Sequence, residues 1–336
     1  MTAENPFAPP LATLTAPLSS QAMPVPAFRQ PYPFLATQIF ATLLMFAASM
    51  VSLWFIDTPS FQRQLRFLPM VISTTVGSLL FYCSAVLLLV YDQRERHGVL
   101  RFRPLWALLV GYGVLYLVIS MVLNLALTHF SSSLFDWIRL QPGRQLWMFL
   151  YTQTSGVLNL LLTCLLPLWL LLTLARSRSE PVLGKVQLSV AGWQVALGIA
   201  LCFSAVLYKV ASTLASSLMM LYREGDYWQP LFQFLSSAVP FVVVLMAARG
   251  KLGARRERFA AGRVLAAALV LWLIWSVCVV LCSLLLTFTA LNYNDPAELQ
   301  RYALLPAVVC LILLWPLTRL STGWFFARPA AQSSPR

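Results

Sequence analysis

Long apolar segments alternate with short polar segments along almost the whole chain. Eight of the apolar segments are long enough to cross a bilayer as helices, which takes about 20 residues each. None of the eight contains any of the eleven Asp and Glu residues of the sequence. The pattern predicts an all-α, polytopic membrane helix bundle with transmembrane helices at about residues 34–56, 70–91, 105–127, 146–175, 188–210, 228–248, 264–291 and 302–320.

These spans divide the chain into three parts. Residues 1–33 carry eight prolines and no apolar run, which predicts a flexible arm and not a signal peptide. Residues 34–320 form the predicted transmembrane domain, and residues 321–336 form a short tail. With eight crossings, both termini lie on the same side of the membrane.

Three local signals predict where helices start or bend. Pro167 lies inside the long fourth span, where proline bends a helix. Asp295 followed by Pro296 is typical of a helix start, so we expect the eighth helix to begin before the membrane does. Ser133 with Asp136 resembles a capping box and predicts a separate interfacial helix at that point, or alternatively a lid or re-entrant segment.

The distribution of positive charge predicts the orientation. Seventeen of the 24 Lys and Arg residues lie in the two terminal segments and in the loops after the second, fourth and sixth spans, while six lie on the opposite side. Cytoplasmic loops carry an excess of Lys and Arg, so both termini are predicted to be cytoplasmic. The basic residues form no separate domain, and therefore the net charge of +13 does not indicate nucleic-acid binding.

Composition excludes a soluble domain and offers no metal site. Hydrophobic residues make up 59% of the chain and charged residues only 10%, whereas about a quarter of the residues of a soluble domain are charged. All six cysteines fall within the predicted spans. Neither a disulfide framework nor a zinc site in a loop is expected, and no cofactor is predicted.

The spacing of the spans suggests an internal repeat. Successive spans start 36, 35 and 41 residues apart in the first half and 40, 36 and 38 residues apart in the second half. Four helices per half would make a 4+4 parallel repeat, related by an axis along the membrane normal. The alternative is the generic spacing of apolar helices, without duplication.

Hydroxyl and amide side chains recur at helical spacing inside several spans. One interpretation is adhesive, because helices in lipid associate through small residues and interhelical hydrogen bonds. The other is a neutral cavity that binds an uncharged or amphiphilic molecule. The candidate binding residues for that cavity are Asn124, Asn159, Gln233, Tyr116, Tyr208 and Lys209.

The fifth span combines close packing with an unusual charge. Gly192, Ala196, Ala200 and Ser204 form a row of small residues, which lets another helix approach closely and predicts a central position in the bundle. Lys209 follows on the same helix. We expect its side chain to snorkel to the outer interface, the alternative being a deeper position in a solvated cleft.

No motif for catalysis is present. The sequence lacks the H-E-x-x-H, G-x-S-x-G and glycine-rich phosphate-binding patterns, so no catalytic residues are predicted. An outer-leaflet transferase that uses His129, Ser131 and Asp136 is the one enzymatic alternative. In the sixth loop, four arginines form a candidate contact site for anionic lipids, namely Arg255, Arg256, Arg258 and Arg263.

The start of the chain carries a short resemblance. Residues Asn5-Pro6-Phe7-Ala8-Pro9-Pro10 resemble the NPYAPP-type leader of many uncharacterised bacterial inner-membrane proteins, with Phe where Tyr is usual. The resemblance covers six residues and implies a bacterial inner membrane but no activity. We therefore expect a non-enzymatic scaffold or assembly subunit that contacts membrane lipids and protein partners through its cytoplasmic loops. The alternative is a carrier or lipid-handling protein that is not proton-coupled through an intramembrane carboxylate.

Overall fold

The computed structural model describes residues 30–66, 68–181, 190–219, 228–256, 258–290 and 296–326. Side chains of this part are described except at residues 63–64, 66, 69–70, 132, 145, 149, 181, 211–219, 228–236, 255, 286–290 and 296–307. The predicted N-terminal arm lies outside the described residues up to position 29, and the predicted tail lies outside them beyond position 326.

Helices account for most of the described chain. The α-helices are α1 (Pro31–Ile56), α2 (Thr58–Arg66), α3 (Leu68–His97), α4 (Leu105–Arg139), α5 (Arg144–Asn159), α6 (Leu166–Ala175), α7 (Gly192–Met219), α8 (Trp228–Leu252), α9 (Ala261–Ala290) and α10 (Pro296–Phe326). A π-helical segment, Leu160–Leu165, joins α5 to α6, and a short 3-10 turn, Arg176–Arg178, follows α6.

Seven helical segments of the described part are long and apolar enough to cross a membrane. They are Pro31–Ile56, Val71–His97, Leu105–Arg139, Leu146–Arg178, Gly192–Val210, Ala261–Leu285 and Val308–Phe326. Helix α8 occupies the place of the sixth predicted span. The prediction of an all-helical, multi-pass membrane protein is confirmed, whereas the count of eight crossings, the orientation and the 4+4 repeat stay predictions.

Local signals in the sequence predicted some helix boundaries correctly. Helix α10 begins at Pro296, as the Asp-Pro signal indicated. The prediction that a separate interfacial helix starts at Ser133 is wrong, because α4 runs through that position without a break and ends at Arg139. Helix α2, between the first two spans, was not predicted.

Loop contacts gather the polar ends of several spans at one end of the bundle. Strand β1 (Val99–Arg101), after α3, pairs with β2 (Glu180–Pro181), and β3 (Val190–Ala191), before α7, pairs with β4 (Arg255–Arg256). The Gln30 side chain, just before α1, donates a hydrogen bond of 3.1 Å to the backbone oxygen of Phe102. This end, which carries the arginine-rich loops, is called the basic end below.

Helix α7 lies in the centre of the bundle, as its row of small residues predicted. It packs against α3, α8 and α9, and Ala196, Ala200 and Ser204 are fully buried. At its start, a Cβ on Gly192 would lie only 2.0 Å from the backbone oxygen of Gly253. Only glycine permits this approach of two backbones, and it fixes α7 against the end of α8.

Candidate functional site

A cluster of polar side chains lies buried between α1 and α4. The Tyr112 hydroxyl donates a hydrogen bond to the side-chain oxygen of Gln38. The Gln38 amide nitrogen in turn donates to the Thr42 hydroxyl at 3.0 Å, and this hydroxyl lies 3.1 Å from the hydroxyl of Tyr116. All four side chains are buried. The donors and acceptors of these side chains therefore bond to each other across the interface between α1 and α4, as polar groups buried away from water must.

The π-helical segment brings a fifth member, Cys164, to this cluster. Pro167 has no N–H, and its ring would clash with the carbonyl of Thr163 in a regular α-helix. The wider turn of Leu160–Leu165 lies just before Pro167 and accommodates it. The Cys164 sulfur lies 3.5 Å from the Tyr112 hydroxyl and 3.9 Å from the backbone oxygen of Tyr82. We name Gln38, Thr42, Tyr112, Tyr116 and Cys164 the polar cluster.

The polar cluster lies well inside the apolar part of the bundle. Gln38 is seven residues into α1 and Tyr112 is seven residues into α4, which places both about 10 Å from the basic end at 1.5 Å per residue. Side-chain hydrogen bonds at this depth hold helices together. Of these residues, only Tyr116 was predicted from the sequence as a candidate binding residue. The i, i+4 spacing of Gln38 and Thr42 in a mostly apolar span was the available signal for the other side of the cluster.

Tyr208 and Lys209 lie at the opposite edge of the bundle. The ring of Tyr208 lies so close to Gly77 on α3 that a Cβ there would be 1.9 Å from the ring. Its hydroxyl is 2.6 Å from the hydroxyl of Ser73. The Lys209 ammonium nitrogen is 3.5 Å from where a Cβ of Gly156 on α5 would lie. The absence of a side chain at Gly77 therefore makes room for the ring of Tyr208, whereas Gly156 only lies next to the Lys209 nitrogen.

The depth of Lys209 agrees with a position near an interface. It lies 17 residues after Gly192, where α7 begins, which corresponds to about 26 Å of helix. The hydrocarbon core of a bilayer is about 30 Å thick. The half-buried Lys209 side chain is thus near the edge opposite the basic end, where a snorkelling lysine is expected.

The predicted binding residues whose side chains the structure describes lie in different parts of the bundle. Tyr116 belongs to the polar cluster, whereas Tyr208 and Lys209 lie at the far edge. Asn124 is exposed on the surface of α4, two turns beyond Tyr116. Asn159 is half-buried and its backbone oxygen accepts a hydrogen bond from Thr163. Gln233 lies in α8, and its side chain is outside the described part.

The residues proposed for an outer transferase site are spread along one helix. His129 and Asp136 are seven residues apart on α4, or about 10 Å along the helix axis. Asp136 pairs with Arg139 at 3.7 Å, and Ser131 donates to the backbone oxygen of Thr128. In the described part, no group of three or more His, Cys, Asp or Glu residues is placed to hold a metal ion. This geometry gives the transferase interpretation no support.

Comparison with known proteins adds no assignment. No protein-family model, curated protein or solved structure matches this chain.

At the basic end, a carboxylate binds the start of a transmembrane helix. The Glu95 side chain accepts hydrogen bonds from the backbone N–H groups of Phe259 and Ala260, the latter at 3.0 Å. These residues directly precede α9, whose first N–H groups carry partial positive charge. The Tyr91 ring stacks on Phe259 with centroids 3.9 Å apart. Together, these contacts fix the end of α3 against the start of α9.

The four arginines of the predicted lipid-contact site have different surroundings. Arg256 donates to the backbone oxygen of Leu252 at 3.0 Å and to that of Phe326 at 2.9 Å, so it connects the ends of α8 and α10. Arg258 and Arg263 are exposed. Arg255 forms part of β4, and its side chain is outside the described part.

Several cations at the basic end form no ion pair with a carboxylate of the described residues. Glu95 binds backbone groups, Asp92 pairs with Arg96 at 2.9 Å, and Glu180 pairs with Arg103 at 2.7 Å. Several exposed cations take no part in any ion pair within the part of the chain that the structure describes, and we name six of them the basic face. They are Arg101, Arg178, Arg249, Lys251, Arg258 and Arg263.

Proposed function

We propose that this protein is a non-enzymatic, multi-pass component of a bacterial inner membrane. In this proposal it acts as a scaffold or assembly subunit, with both termini in the cytoplasm. Its basic face contacts anionic lipids and protein partners there, and its transmembrane helices form the framework that positions this face.

The polar cluster is the observation that carries the proposal. Gln38, Thr42, Tyr112 and Tyr116 are buried and bonded to each other. Polar side chains that bind a transported molecule need free donors and acceptors, whereas these are used to join helices. This supports a structural role for the interior and leaves recognition to the surface.

The basic face supports recognition at the membrane surface. Its cations are exposed, and no described carboxylate pairs with them. Juxtamembrane Lys and Arg residues attract anionic surfaces at the cytoplasmic leaflet, each contributing about 1 kcal/mol. Glu95 and Arg256 bind the helix ends that carry these loops, and these contacts hold the basic face in position.

The test is purification from native membranes in mild detergent, followed by quantitative mass spectrometry of the bound proteins and lipids. The variant R258Q/R263Q should lose its protein partners several-fold, because it removes two cations of the basic face. The control R139Q/R144Q removes two exposed cations from the opposite end and should retain them. Unchanged partners in the first variant, or equal loss in both, would count against the proposal.

A carrier or lipid-handling role is the second candidate, and the position of Lys209 favours it. The ammonium group lies between α7 and α5, near the interface and next to Gly156. A lipid headgroup entering between these helices would meet it. If the protein moves lipids, proteoliposomes should transfer a fluorescent phospholipid between leaflets, and Lys209→Gln should slow this transfer several-fold. Transfer no faster than in protein-free vesicles excludes this role.

A further inference from the structure

A lysine on α8 lies across a glycine on α10. The Cε atom of Lys251 is 3.5 Å from the position that a Cβ of Gly323 would occupy. A larger residue at position 323 would occupy the space beside this stem. The stem of Lys251 lies along the surface of α10 at this glycine, and the Lys251 side chain is exposed.

An arginine lies one turn before this glycine on the same side of α10. Arg319 and Gly323 are four residues apart, so they share a helix face and their Cα atoms differ by about 6 Å along the axis. Arg319 is exposed. Arg319 therefore shares the face of α10 along which Lys251 lies, about one turn from it along the helix axis.

Hydrogen bonds on the opposite face of α10 show which side of this helix packs inward. Ser321 is buried and its hydroxyl donates to the backbone oxygen of Ala267 on α9 at 2.8 Å. Thr318 and Thr322 are also buried, and each donates to a backbone oxygen one turn earlier. Because this small polar face packs inward, the Arg319 side must face the surroundings of the bundle.

The surface around the two cations is apolar. Leu320 is 46% exposed and Trp324 is 59% exposed. We name Lys251, Arg319, Leu320, Gly323 and Trp324 the α10 groove. Exposed tryptophan beside basic residues at the end of a transmembrane helix is typical of the headgroup level of a membrane. Acyl chains surround such a surface, so a water-soluble acidic partner has poor access to Arg319.

Neither cation of the α10 groove is neutralised within the described part of the chain. The ion pairs there involve Asp92, Asp136 and Glu180. Two positive charges at the edge of the hydrocarbon region are more stable beside an anion than alone. Phosphate oxygens accept hydrogen bonds from both ammonium and guanidinium groups.

We propose that the α10 groove binds the phosphate headgroup of an anionic phospholipid. Lys251 and Arg319 contact the phosphate oxygens, Trp324 packs at the level of the glycerol, and an acyl chain lies along Leu320. Arg319 and the groove were not part of the arginine cluster predicted from the sequence. The proposal does not depend on the scaffold role, because a carrier would bind a lipid here equally well.

The test uses full-length protein, delipidated in mild detergent and incubated with phosphatidylglycerol or phosphatidylcholine of identical acyl chains. Native mass spectrometry measures the fraction of protein that retains each lipid. Wild type should retain phosphatidylglycerol preferentially, and K251Q/R319Q should retain it about tenfold less. The control R139Q/R144Q removes two exposed cations from the end opposite the basic end and should behave as wild type.

Two further variants distinguish lipid binding in the α10 groove from nonspecific electrostatic attraction and from loss of binding through incorrect folding. Gly323→Leu keeps all charges but displaces Lys251, and it should also reduce phosphatidylglycerol retention while the protein elutes as wild type in size exclusion. K251R/R319K keeps the charges and should retain the lipid. Equal loss in the control variant, equal retention of both lipids by wild type, or displacement of the lipid by millimolar inorganic phosphate would each overturn the proposal.

Discussion

Tyr112 on α4 donates a hydrogen bond to the side chain of Gln38 on α1, across 74 positions of the sequence. Both residues are fully buried. Water cannot replace either partner at this depth, so the loss of one leaves the other unsatisfied. This pair joins the first and third spans of the bundle, and its two ends are therefore expected to be energetically coupled.

Tyr112→Phe should lower the free energy of unfolding by about 1 kcal/mol, because it leaves the Gln38 oxygen without its donor. Reversible unfolding in mixed micelles measures this change. Tyr151→Phe is the control, since that half-buried ring packs on Phe135 near the opposite end. The double variant Q38L/Y112F should be less destabilised than the sum of the single variants. Simple additivity would show that the two side chains are not coupled.

Gly77→Ala should destabilise the protein by about 2 kcal/mol, because the added methyl group meets the ring of Tyr208. Gly250→Ala is the matched control, since a Cβ there has no neighbour within 4 Å. That variant should be neutral or slightly stabilising because alanine favours the helix. Thermal unfolding in detergent compares the two. An equal effect of both variants would mean that Tyr208 does not pack on Gly77.

Glu95→Ala should destabilise the bundle by about 1 kcal/mol, since it removes the acceptor for the N–H groups that precede α9. Hydrogen exchange at Phe259 and Ala260 should become faster. Asp92→Ala, one turn from Arg96, removes only a surface ion pair and should have little effect. Unchanged exchange at the start of α9 would contradict this role of Glu95.

Arg256→Gln should loosen the end of α10, because it removes the hydrogen bond to the backbone oxygen of Phe326. Limited proteolysis should cut the chain after α10 several-fold faster than in wild type. Arg263→Gln is the control, since this exposed side chain takes part in no ion pair within the described residues. Equal cleavage rates in the two variants would argue against a specific contact of Arg256.

The positions of the helices were largely predictable from the sequence. Hydrophobic segments must be helical in a bilayer, because every backbone N–H and C=O group needs an internal partner there. Pro296 was also correctly identified as a helix start. The capping pattern at Ser133 wrongly predicted the start of a separate helix, because a weak capping signal does not interrupt a helix that can continue through it.

The candidate sites were less predictable than the helices. Tyr116 and Asn124 were both predicted to line one cavity, yet Tyr116 is buried in the polar cluster and Asn124 is exposed. Residues eight positions apart point in directions that differ by about 80° around a helix, so the positions of the neighbouring helices decide which of them is covered. Arg256 was predicted only as a contact for anionic lipids, and the structure adds that its side chain donates hydrogen bonds to two backbone oxygens of the protein.

The sequence by itself determined that this is a multi-pass helical membrane protein with most of its cations in a few loops. That information is local, since it depends on the length, polarity and charge of each segment. Only the tertiary structure decided that Gln38 meets Tyr112, and that Lys251 lies over Gly323, which is one turn after Arg319 on α10. Such pairs depend on the rotation and depth of one helix relative to another, which side-chain packing across the whole bundle determines.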